Sequence, residues 1–485
     1  MSRFFPPGDF HGSEAPLQLM PLRFERTSAK EYLVSNIVGD FIRLSADEFQ
    51  RLIDLQLKPG DGLYERAYSA HLVSREGQSA QHQLLAMRLR TRMSFLRQPS
   101  ALHMFVVTLR CEHSCPYCQV SRQSTDRARF DMTEETAQRA LAIALQSPSS
   151  RIKIEFQGGE PLLNFALIQK IVETAKREAP TKGKEVDFVI ATNLALLTDD
   201  ILSFCKASRV SLSTSLDGPP DLHNRNRPRP GGNSYELAVQ GIRKAQATLG
   251  RDRISALMTT TRHSLDRVEE IIDEYVAHDL DGVFLRPLSP YGFAIKTKQF
   301  QRYDPAEWMR FYRRGLRYIL DLNRKGHEFF EFYTLLLLRR ILTDQPIGYV
   351  DLRSPAGIGL GALVYNYDGR VFASDEGRML AEMGDRTFEL GHVADNDYRS
   401  LILSDKLVSN IGSSLSQCAP ECHDCVFESH CGADPVYHHA THGDPLGIKP
   451  LSGFCQRQKG VMSTILDLLD NSPEDAAVLR AWSMM

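Results

Sequence analysis

Residues 103–118 read HMFVVTLRCEHSCPYC. The first seven residues form a mostly apolar run, which is typical of a strand that is buried on both faces. Three of the nine cysteines of the chain, Cys111, Cys115 and Cys118, follow within eight positions, with three residues in the first gap and two in the second. The stretch therefore predicts a buried strand that ends in a loop carrying three thiols.

The alternation that begins with this strand continues to residue 288. Apolar runs typical of buried strands occur at residues 103–109, 152–157, 186–192, 210–216, 254–261 and 282–288. Helical spacing of apolar residues separates them, at residues 133–145, 167–179, 199–207, 235–249 and 265–278. Such alternation indicates parallel βαβ units. We therefore predict an α/β fold built on a partial (β/α)6 barrel of parallel strands, with its site at the carboxyl ends of those strands.

Other parts of the chain flank this predicted barrel. Tyr32–Val34 and Phe41–Leu44 are expected to pair as strands, and Ser45 with Glu48 is expected to begin a helix through a capping box. A helical stretch is expected from Asp304 to about residue 342. We predict a small N-terminal α+β module, the barrel, a helical linker and a cysteine-rich C-terminal domain, in residues 1–98, 99–300, 301–350 and 351–485.

The composition is that of an ordinary globular protein, with 42% hydrophobic and 24% charged residues in 485. The net charge of −2 gives no basic field, so we expect neither nucleic acid nor a membrane as a partner. Residues 1–12 do not have the pattern of a signal peptide, and the aliphatic run at 335–338 is far too short to span a bilayer. We expect a cytoplasmic protein, in which clustered cysteines indicate metal binding or catalysis.

Three thiolates on one loop can bind three corners of a [4Fe–4S] cluster and leave one iron open to a small molecule. The alternative is a zinc knuckle or unconnected core thiols. Cys205, within an apolar helical run, is expected to be a core thiol.

The C-x3-C-x2-C motif and the ends of the following strands resemble the radical S-adenosylmethionine (SAM) superfamily. The matching strand ends are QGGEP at 157–161, ATN at 191–193, the SLDGPP run from Ser215, and LRPLSPYG at 285–292. The resemblance implies that Cys111, Cys115 and Cys118 bind a [4Fe–4S] cluster. It also implies that SAM is bound by Tyr117, Gly158, Gly159, Glu160, Asn193, Ser215 and Arg286.

Two residues beyond the fourth strand are candidates for the chemistry itself. Asp217 and His223 are expected to orient the substrate or to move a proton, and a role in a solvated loop is the alternative. For the glycines and Glu160 the alternative is an ordinary strand-to-helix turn, and for Asn193 it is a turn residue.

The C-terminal cysteines form a second group, in CAPECHDCVFESHCGADP (418–435) and at Cys455. Their spacing resembles the SPASM/twitch extension of radical SAM peptide maturases. That resemblance implies one auxiliary [4Fe–4S] cluster held by Cys422, Cys425, Cys431 and Cys455, and a structural zinc site is the alternative. Ser374 and Pro435 stand where further cysteines would hold a second auxiliary cluster, which we therefore do not expect. Cys418 remains unassigned.

Longer segments, among them CGADPVYHHATHGDP and DGRVFASDEGRML, resemble the His-Xaa-Ser system radical SAM maturases called B proteins. This resemblance implies cleavage of SAM to a 5′-deoxyadenosyl radical and modification of a ribosomally made precursor peptide bearing His-Xaa-Ser repeats. It implies as partners an external electron donor of the flavodoxin or ferredoxin type and a second radical SAM maturase. The N-terminal module resembles peptide-recognition elements, in which a leader peptide adds a strand to a sheet edge, and the alternative is a cap.

Two other functions stay open. One is a radical SAM activating or maturation enzyme that acts on a protein partner. The other is a non-catalytic iron–sulfur or zinc protein that only binds a peptide. His438, His439 and His442 could be ligands or proton carriers, but histidines of a surface helix are the simpler interpretation.

Overall fold

The computed structural model describes residues 15–485 apart from residues 78, 98, 346 and 348. Residues 1–12, in which the sequence predicts no signal peptide, lie outside the described residues. In the described part, none of the helices combines the length and the apolar character needed to cross a membrane.

The N-terminal part is a small α+β unit. Its strands are β1 (Leu17–Leu19), β2 (Leu22–Arg26), β3 (Glu31–Asn36), β4 (Phe41–Ser45) and β5 (Val73–Arg75), and its helices are α1 (Ala46–Ile53), α2 (Gly62–Ser69) and α3 (Ala80–Arg92). The predicted strand pair is β3 and β4, and Ser45 and Glu48 form the predicted capping box at α1. Strand β2, which the sequence did not indicate, pairs with the other side of β3, so β3 is the centre of an antiparallel sheet.

The central part contains the parallel sheet. Its strands are β6 (Leu102–Thr108), β7 (Arg151–Gly158), β8 (Glu185–Ala191), β9 (Val210–Ser215) and β10 (Ile254–Leu257). The helices between them are α4 (Arg127–Phe130), α5 (Glu134–Ala144), α6 (Phe165–Glu178), α7 (Asp199–Ser208), α8 (Pro220–Asn226), α9 (Ser234–Leu249) and α10 (Val268–Ala277). The five strands are hydrogen-bonded in sequence order and all in parallel. The predicted α/β fold with a central parallel sheet is confirmed.

The expected sixth strand is much shorter than its apolar run. Only β11 (Gly282–Val283) is extended, and it pairs in parallel with β12 (Phe330–Glu331) rather than with β10. Pro287, which has no N–H to donate, lies in the remainder of the run. A short helix, α11 (Phe293–Lys296), follows this run, and the expected helical linker after it is divided into α12 (Pro305–Arg324) and α13 (Phe332–Leu342). Gly326, with a φ of +86°, lies in the turn that ends α12.

The C-terminal part extends the main sheet. Its strands are β13 (Ala362–Tyr365), β14 (Arg370–Phe372) and β15 (Glu389–His392). Its helices are α14 (Asp375–Ala381), α15 (Tyr398–Ile402), α16 (Asp405–Ser413), α17 (Pro435–His442), α18 (Gly453–Asn471) and α19 (Pro473–Ser483). Strand β13 pairs in parallel with β6, and β14 and β15 follow in antiparallel, which gives a sheet of eight strands. The cysteine-rich part and the parallel sheet therefore share one hydrogen-bonded framework.

Candidate functional site

The three-cysteine loop leaves the carboxyl end of β6 and is held by backbone hydrogen bonds from two directions. The Ser114 N–H donates to the carbonyl of Pro228 (2.7 Å), and the Phe293 N–H donates to the carbonyl of Cys118 (2.7 Å). A Cβ on Gly292 would lie 2.3 Å from the Gln119 carbonyl oxygen, so only glycine allows this close approach. The segments that follow β9 and β11 thus fix the position of the loop.

The glycine pair at the end of β7 lies directly against the start of the same loop. The Gly159 N–H donates to the Thr108 carbonyl (2.8 Å), and the Glu160 N–H donates to the Arg110 carbonyl (2.7 Å). A Cβ on Gly158 or Gly159 would come within 2.1 or 2.2 Å of those carbonyl oxygens. Glycine is therefore required here by the close approach of two backbones, and not only by a turn.

Glu160 is fully buried and organises the next strand end. Its carboxylate accepts hydrogen bonds from the Thr192 hydroxyl (2.6 Å), the Asn193 N–H (2.8 Å) and the Leu162 N–H (3.0 Å). Burial, together with the nearby Glu112, raises the pKa of Glu160 to about 7. A cationic group on a ligand would favour its ionised form.

One cavity of about 300 Å³ brings most of the expected residues together. Nine of the sequence-predicted site residues line it: Cys111, Cys115, Tyr117, Cys118, Gly158, Gly159, Asn193, Ser215 and Arg286. They come from the ends of successive strands, as the parallel topology requires. Glu160 lies behind this lining and contacts it through Asn193.

Asp217 and His223 lie one layer behind the cavity and do not line it. The Asp217 carboxylate accepts hydrogen bonds from the Tyr117 hydroxyl (2.6 Å) and from Arg227 Nε (3.1 Å), and both of these side chains line the cavity. The Asp217 N–H donates to His223 Nδ1 (3.3 Å). Burial lowers the pKa of His223 to about 3, so the imidazole is neutral near pH 7. Asp217 could therefore orient a substrate through Tyr117 and Arg227, which do line the cavity.

Arg227 is a site residue that sequence reasoning missed. Its guanidinium lies 5.5 Å from the centre of the Tyr117 ring and lowers the pKa of Cys115, opposing the effect of burial. The sequence signal was present in HNRNRP, directly after the fourth strand. However, its spacing does not distinguish Arg227 from Arg225.

The cysteine loop has the donors that an iron–sulfur cluster needs. Burial raises the pKa of Cys115 to about 12 and raises the pKa of Cys111 well above its usual range, with Glu112 and Glu160 adding to the effect on Cys111. Free thiols here would stay protonated near pH 7, whereas bound iron would stabilise the thiolates. Cys111, Cys115 and Cys118 line one cavity and would supply three thiolate ligands to a [4Fe–4S] cluster.

A smaller group of possible metal donors lies within the loop. Donor atoms of Cys111, Glu112 and His113 lie within 4.8 Å of one another. His113 Nδ1 and Glu112 Oε1 both contact Asn193 Nδ2, at 2.9 and 2.8 Å. We interpret Glu112 and His113 as a hydrogen-bonded support for Asn193, because both polar atoms already have partners.

The second cysteine group lies in the C-terminal part. Burial raises the pKa of Cys431 well above its usual range, and the neighbouring Cys425, Cys455 and Cys422 raise it further. The charges of these thiols thus act on one another, although no three of the four sulfur atoms, all in the described part of the chain, lie within 4.8 Å of one another. Cys418 is exposed. Four thiols are the donor set of either a [4Fe–4S] cluster or a tetrahedral zinc site.

The residues in place of further cysteines have structural roles. The Ser374 side chain caps α14, and Pro435 is the first residue of α17. His438 is buried and contacts the Asp434 carbonyl and Ser452 Oγ, whereas His439 contacts Asp385. The expectation that these histidines are on a surface helix is therefore wrong for His438.

The N-terminal unit is docked on the second cysteine group. Arg23, on β2, contacts Glu428 (2.9 Å) and the His423 carbonyl (2.6 Å), and the Ser35 hydroxyl donates to the Val426 carbonyl (2.8 Å). Phe41 packs on Phe427 and His430. If the N-terminal unit acts as a cap, it therefore covers the segment that carries Cys422, Cys425 and Cys431, rather than the barrel.

Comparison with known proteins finds a family match in the central part of the chain. Residues 105–275 match the model of the radical SAM superfamily. The chain is 30% identical over 186 residues to an uncharacterized protein of Methanocaldococcus jannaschii, covering 38% of this chain and 61% of that protein. It is 27% identical over 140 residues to the serine-type anaerobic sulfatase-maturating enzyme of Bacteroides thetaiotaomicron, covering 28% and 33% of the two chains. The matches thus span less than two thirds of either relative.

Solved structures share the fold over a larger part of the chain. Native anSMEcpe with bound AdoMet and the Cp18Cys peptide has a TM-score of 0.61 at 18% identity, covering 78% of this chain and 99% of that one. Streptococcus suis SuiB bound to the precursor peptide SuiA has a TM-score of 0.52 at 15% identity, covering 89% and 98%. At these identities the likeness establishes the fold alone.

Proposed function

We propose that this chain, whose residues 105–275 form a radical SAM domain, is an enzyme that cleaves SAM reductively and modifies a ribosomally made precursor peptide. A radical SAM domain implies a [4Fe–4S] cluster and SAM. The observation that carries the proposal is the single cavity lined by Cys111, Cys115 and Cys118 together with the ends of β7, β8 and β9. The SAM-bound and peptide-bound proteins of the same fold support the type of substrate.

When bound, the cluster and SAM would supply a 5′-deoxyadenosyl radical, methionine being the other product. The protein's own residues would position the reactants. Glu160, behind the cavity lining, would supply negative charge toward the amino group of SAM, and Asn193, Ser215 and Arg286 line the cavity itself. Asp217 would act as a positioning residue that holds Tyr117 and Arg227, and His223 would hold the Asp217 backbone. The surrounding walls would keep water from a reactive intermediate.

The C-terminal cysteines Cys422, Cys425, Cys431 and Cys455 are proposed to hold one auxiliary [4Fe–4S] cluster. It would accept the electron that remains after the new bond forms, or it would only stabilise this part of the fold. The N-terminal module is proposed to bind the precursor peptide. Because β2 covers one side of β3, the edge strands of this three-stranded sheet are β2 and β4, and we propose one of them as the edge to which the peptide adds. An external flavodoxin or ferredoxin would donate the electron.

The finer assignment is to the His-Xaa-Ser system B proteins, with a second radical SAM maturase as partner. It rests on the sequence segments described above. The second candidate function is a maturation enzyme that acts on a protein partner, which the similarity to the anaerobic sulfatase-maturating enzyme favours. Mass spectrometry of each substrate after co-expression would separate the two. A mass change in the precursor peptide supports the first function.

The central test is anaerobic reconstitution of the full chain. We expect about eight irons per chain, in two four-iron clusters, and formation of 5′-deoxyadenosine and methionine after reduction with dithionite. Zinc in place of iron in anaerobically purified protein, or iron-loaded protein that leaves SAM intact, would contradict the proposal.

A further inference from the structure

A second chamber adjoins the cavity lined by Cys111, Cys115 and Cys118, which we call the SAM cavity. Two connected cavities of about 310 and 90 Å³ share the walls formed by Phe284, Arg286, Tyr349 and Asp351. The larger one also shares Glu155, Gln157, Leu257, Arg286 and Asp375 with the SAM cavity. We call these two cavities the acidic chamber. A group bound there would lie next to the place where SAM is proposed to react.

The chamber is lined by more negative than positive side chains. Among the described residues, its carboxylates outnumber its cations by six to two: Glu155, Glu331, Asp351, Asp375, Glu376 and Asp434, against Arg286 and Arg457. Glu331 is satisfied by hydrogen bonds from the Thr334 and Leu285 backbones, and Asp375 is paired with Arg378. The remaining carboxylates are not balanced by the two cations.

The carboxylates also raise one another's pKa values. Burial, followed by the charges of Asp351, Asp375 and Asp434, raises the pKa of Glu376 to about 8. Burial and the charge of Asp351 raise the pKa of Asp434 to about 7. Both shifts are in the direction that a bound cation would reverse.

Two buried polar groups on the chamber wall have no partner among the described residues. They are the hydroxyl of Tyr291 and the indole N–H of Trp308, and these two residues are only 1% and 3% exposed. Buried polar groups without partners are costly, so such groups commonly receive a ligand or water. The hydroxyl oxygen can accept from an ammonium or guanidinium group, and the indole N–H can donate to a peptide carbonyl.

The remaining wall suits a long side chain that ends in a cation. Phe284 and Tyr333 stack with their ring centres 5.4 Å apart, and Tyr349 lies edge-on to both. Aromatic faces attract cations and pack against the methylene stems of lysine and arginine. A bare metal ion would use neither the aromatic wall nor the indole N–H.

We propose that the acidic chamber binds a cationic side chain, lysine or arginine, of the substrate peptide, with Asp351, Glu376 and Asp434 facing its charge. This rests on the proposed function, since it names a feature of the substrate. The bound side chain would anchor the peptide so that a nearby residue faces the SAM cavity. The class of substrate is therefore a peptide with a basic residue close to the site of modification.

The test is calorimetric titration of reconstituted, SAM-loaded protein with three probes: the N-acetyl methylamides of lysine, arginine and norleucine. We expect the lysine or the arginine probe to bind about tenfold more tightly than the norleucine probe, which lacks only the charged group of lysine. Glu376→Gln and Asp351→Asn should each remove most of that preference. Asp199→Asn, which changes a carboxylate that is 88% exposed, should retain it.

The outcomes separate this inference from the function on which it rests. Equal binding of all three probes by wild-type protein that cleaves SAM would overturn the cationic substrate and leave the proposed function standing. Saturable binding of Mg²⁺ that displaces the lysine probe would show a metal site and would also overturn it. Wild-type protein that does not cleave SAM would remove the proposed function and this inference together. The probe comparison uses wild-type protein, so it holds even where a variant fails to fold.

Discussion

The two cysteine groups differ in number and in what faces them. Cys111, Cys115 and Cys118 line an open cavity among strand ends, and no fourth cysteine lines that cavity among the described residues. Cys422, Cys425, Cys431 and Cys455 are four, and the N-terminal sheet is docked on the segment that carries three of them. A group with a missing ligand beside a cavity can bind a reactant, whereas a complete and covered set can only hold its metal or pass electrons.

Removal of the first cysteine group should have the largest effect. The triple substitution of Cys111, Cys115 and Cys118 by Ala is expected to lower bound iron from about eight to about four per chain, because one four-iron site is lost. SAM cleavage should disappear. Iron analysis and chromatography of 5′-deoxyadenosine measure the two effects. Cys205→Ala is the control, because this buried thiol in α7 lies in neither group. Undiminished cleavage of SAM by the triple variant would show that the first cysteine group is not the one that supports this reaction.

The second prediction tests the C-terminal cysteine group. Cys425→Ala leaves three thiols in the C-terminal group and should lose the auxiliary cluster, while SAM cleavage without peptide continues. Modification of the precursor peptide should fall by about tenfold or more, if the auxiliary cluster accepts an electron. Cys418→Ala, which changes an exposed cysteine of the same segment, should keep about eight irons. A folded Cys425→Ala protein without SAM cleavage would show that the two centres do not act separately.

The parallel sheet and the cysteine loop could be predicted because their signals are local. An apolar run such as FVVTL indicates a buried strand, and three cysteines in eight positions require no partner elsewhere in the chain. The predicted order of strands placed nine site residues on one cavity. For these residues, the position at a strand end and the type of side chain were sufficient to predict that they line the site.

The missed features depend on contacts between distant segments. The Arg227 contact with Tyr117, the pairing of β13 with β6, and the contact of Arg23 with Glu428 join parts of the chain whose sequences show no common pattern. The prediction of a full sixth strand was wrong for a different reason. Its apolar run is mostly buried at Gly282, Val283, Leu285 and Leu288, but Pro287 lies within it and the strand ends at Val283. Hydrophobicity indicates burial, and hydrogen-bonding capacity decides whether a buried segment is a strand.

The third prediction concerns the N-terminal sheet that is docked on the C-terminal cysteine group. Arg23→Ala would leave the buried Glu428 without its arginine, at a cost of about 3 kcal/mol. We expect a lower melting temperature and faster loss of auxiliary-cluster absorbance in air, with SAM cleavage less affected. Arg26→Ala is the matched control, since Arg26, on the same strand, is exposed and contacts the nearby Ser28 and Ala29 carbonyls and the Tyr32 ring, none of which belongs to the cysteine-rich segment. Equal rates of bleaching in the two variants would show that the N-terminal unit does not protect this centre.

The smallest expected effect on SAM cleavage is that of the acidic chamber, which is tested through stability. Glu376, whose pKa is raised to about 8 by burial and by Asp351, Asp375 and Asp434, retains its proton in the folded chain and loses it near pH 4.5 when unfolded. Between these values the folded state binds more protons, so stability falls as the pH rises from about 4.5 to about 8. Arg286 lies nearby, which limits the loss. Glu376→Gln should flatten the fall in melting temperature over this range, and Asp199→Asn should not. A lysine probe at saturating concentration should oppose the fall in wild-type protein only, because it binds the ionised chamber. If the wild-type and Glu376→Gln curves have the same slope, the chamber carboxylate is not the group that links stability to pH.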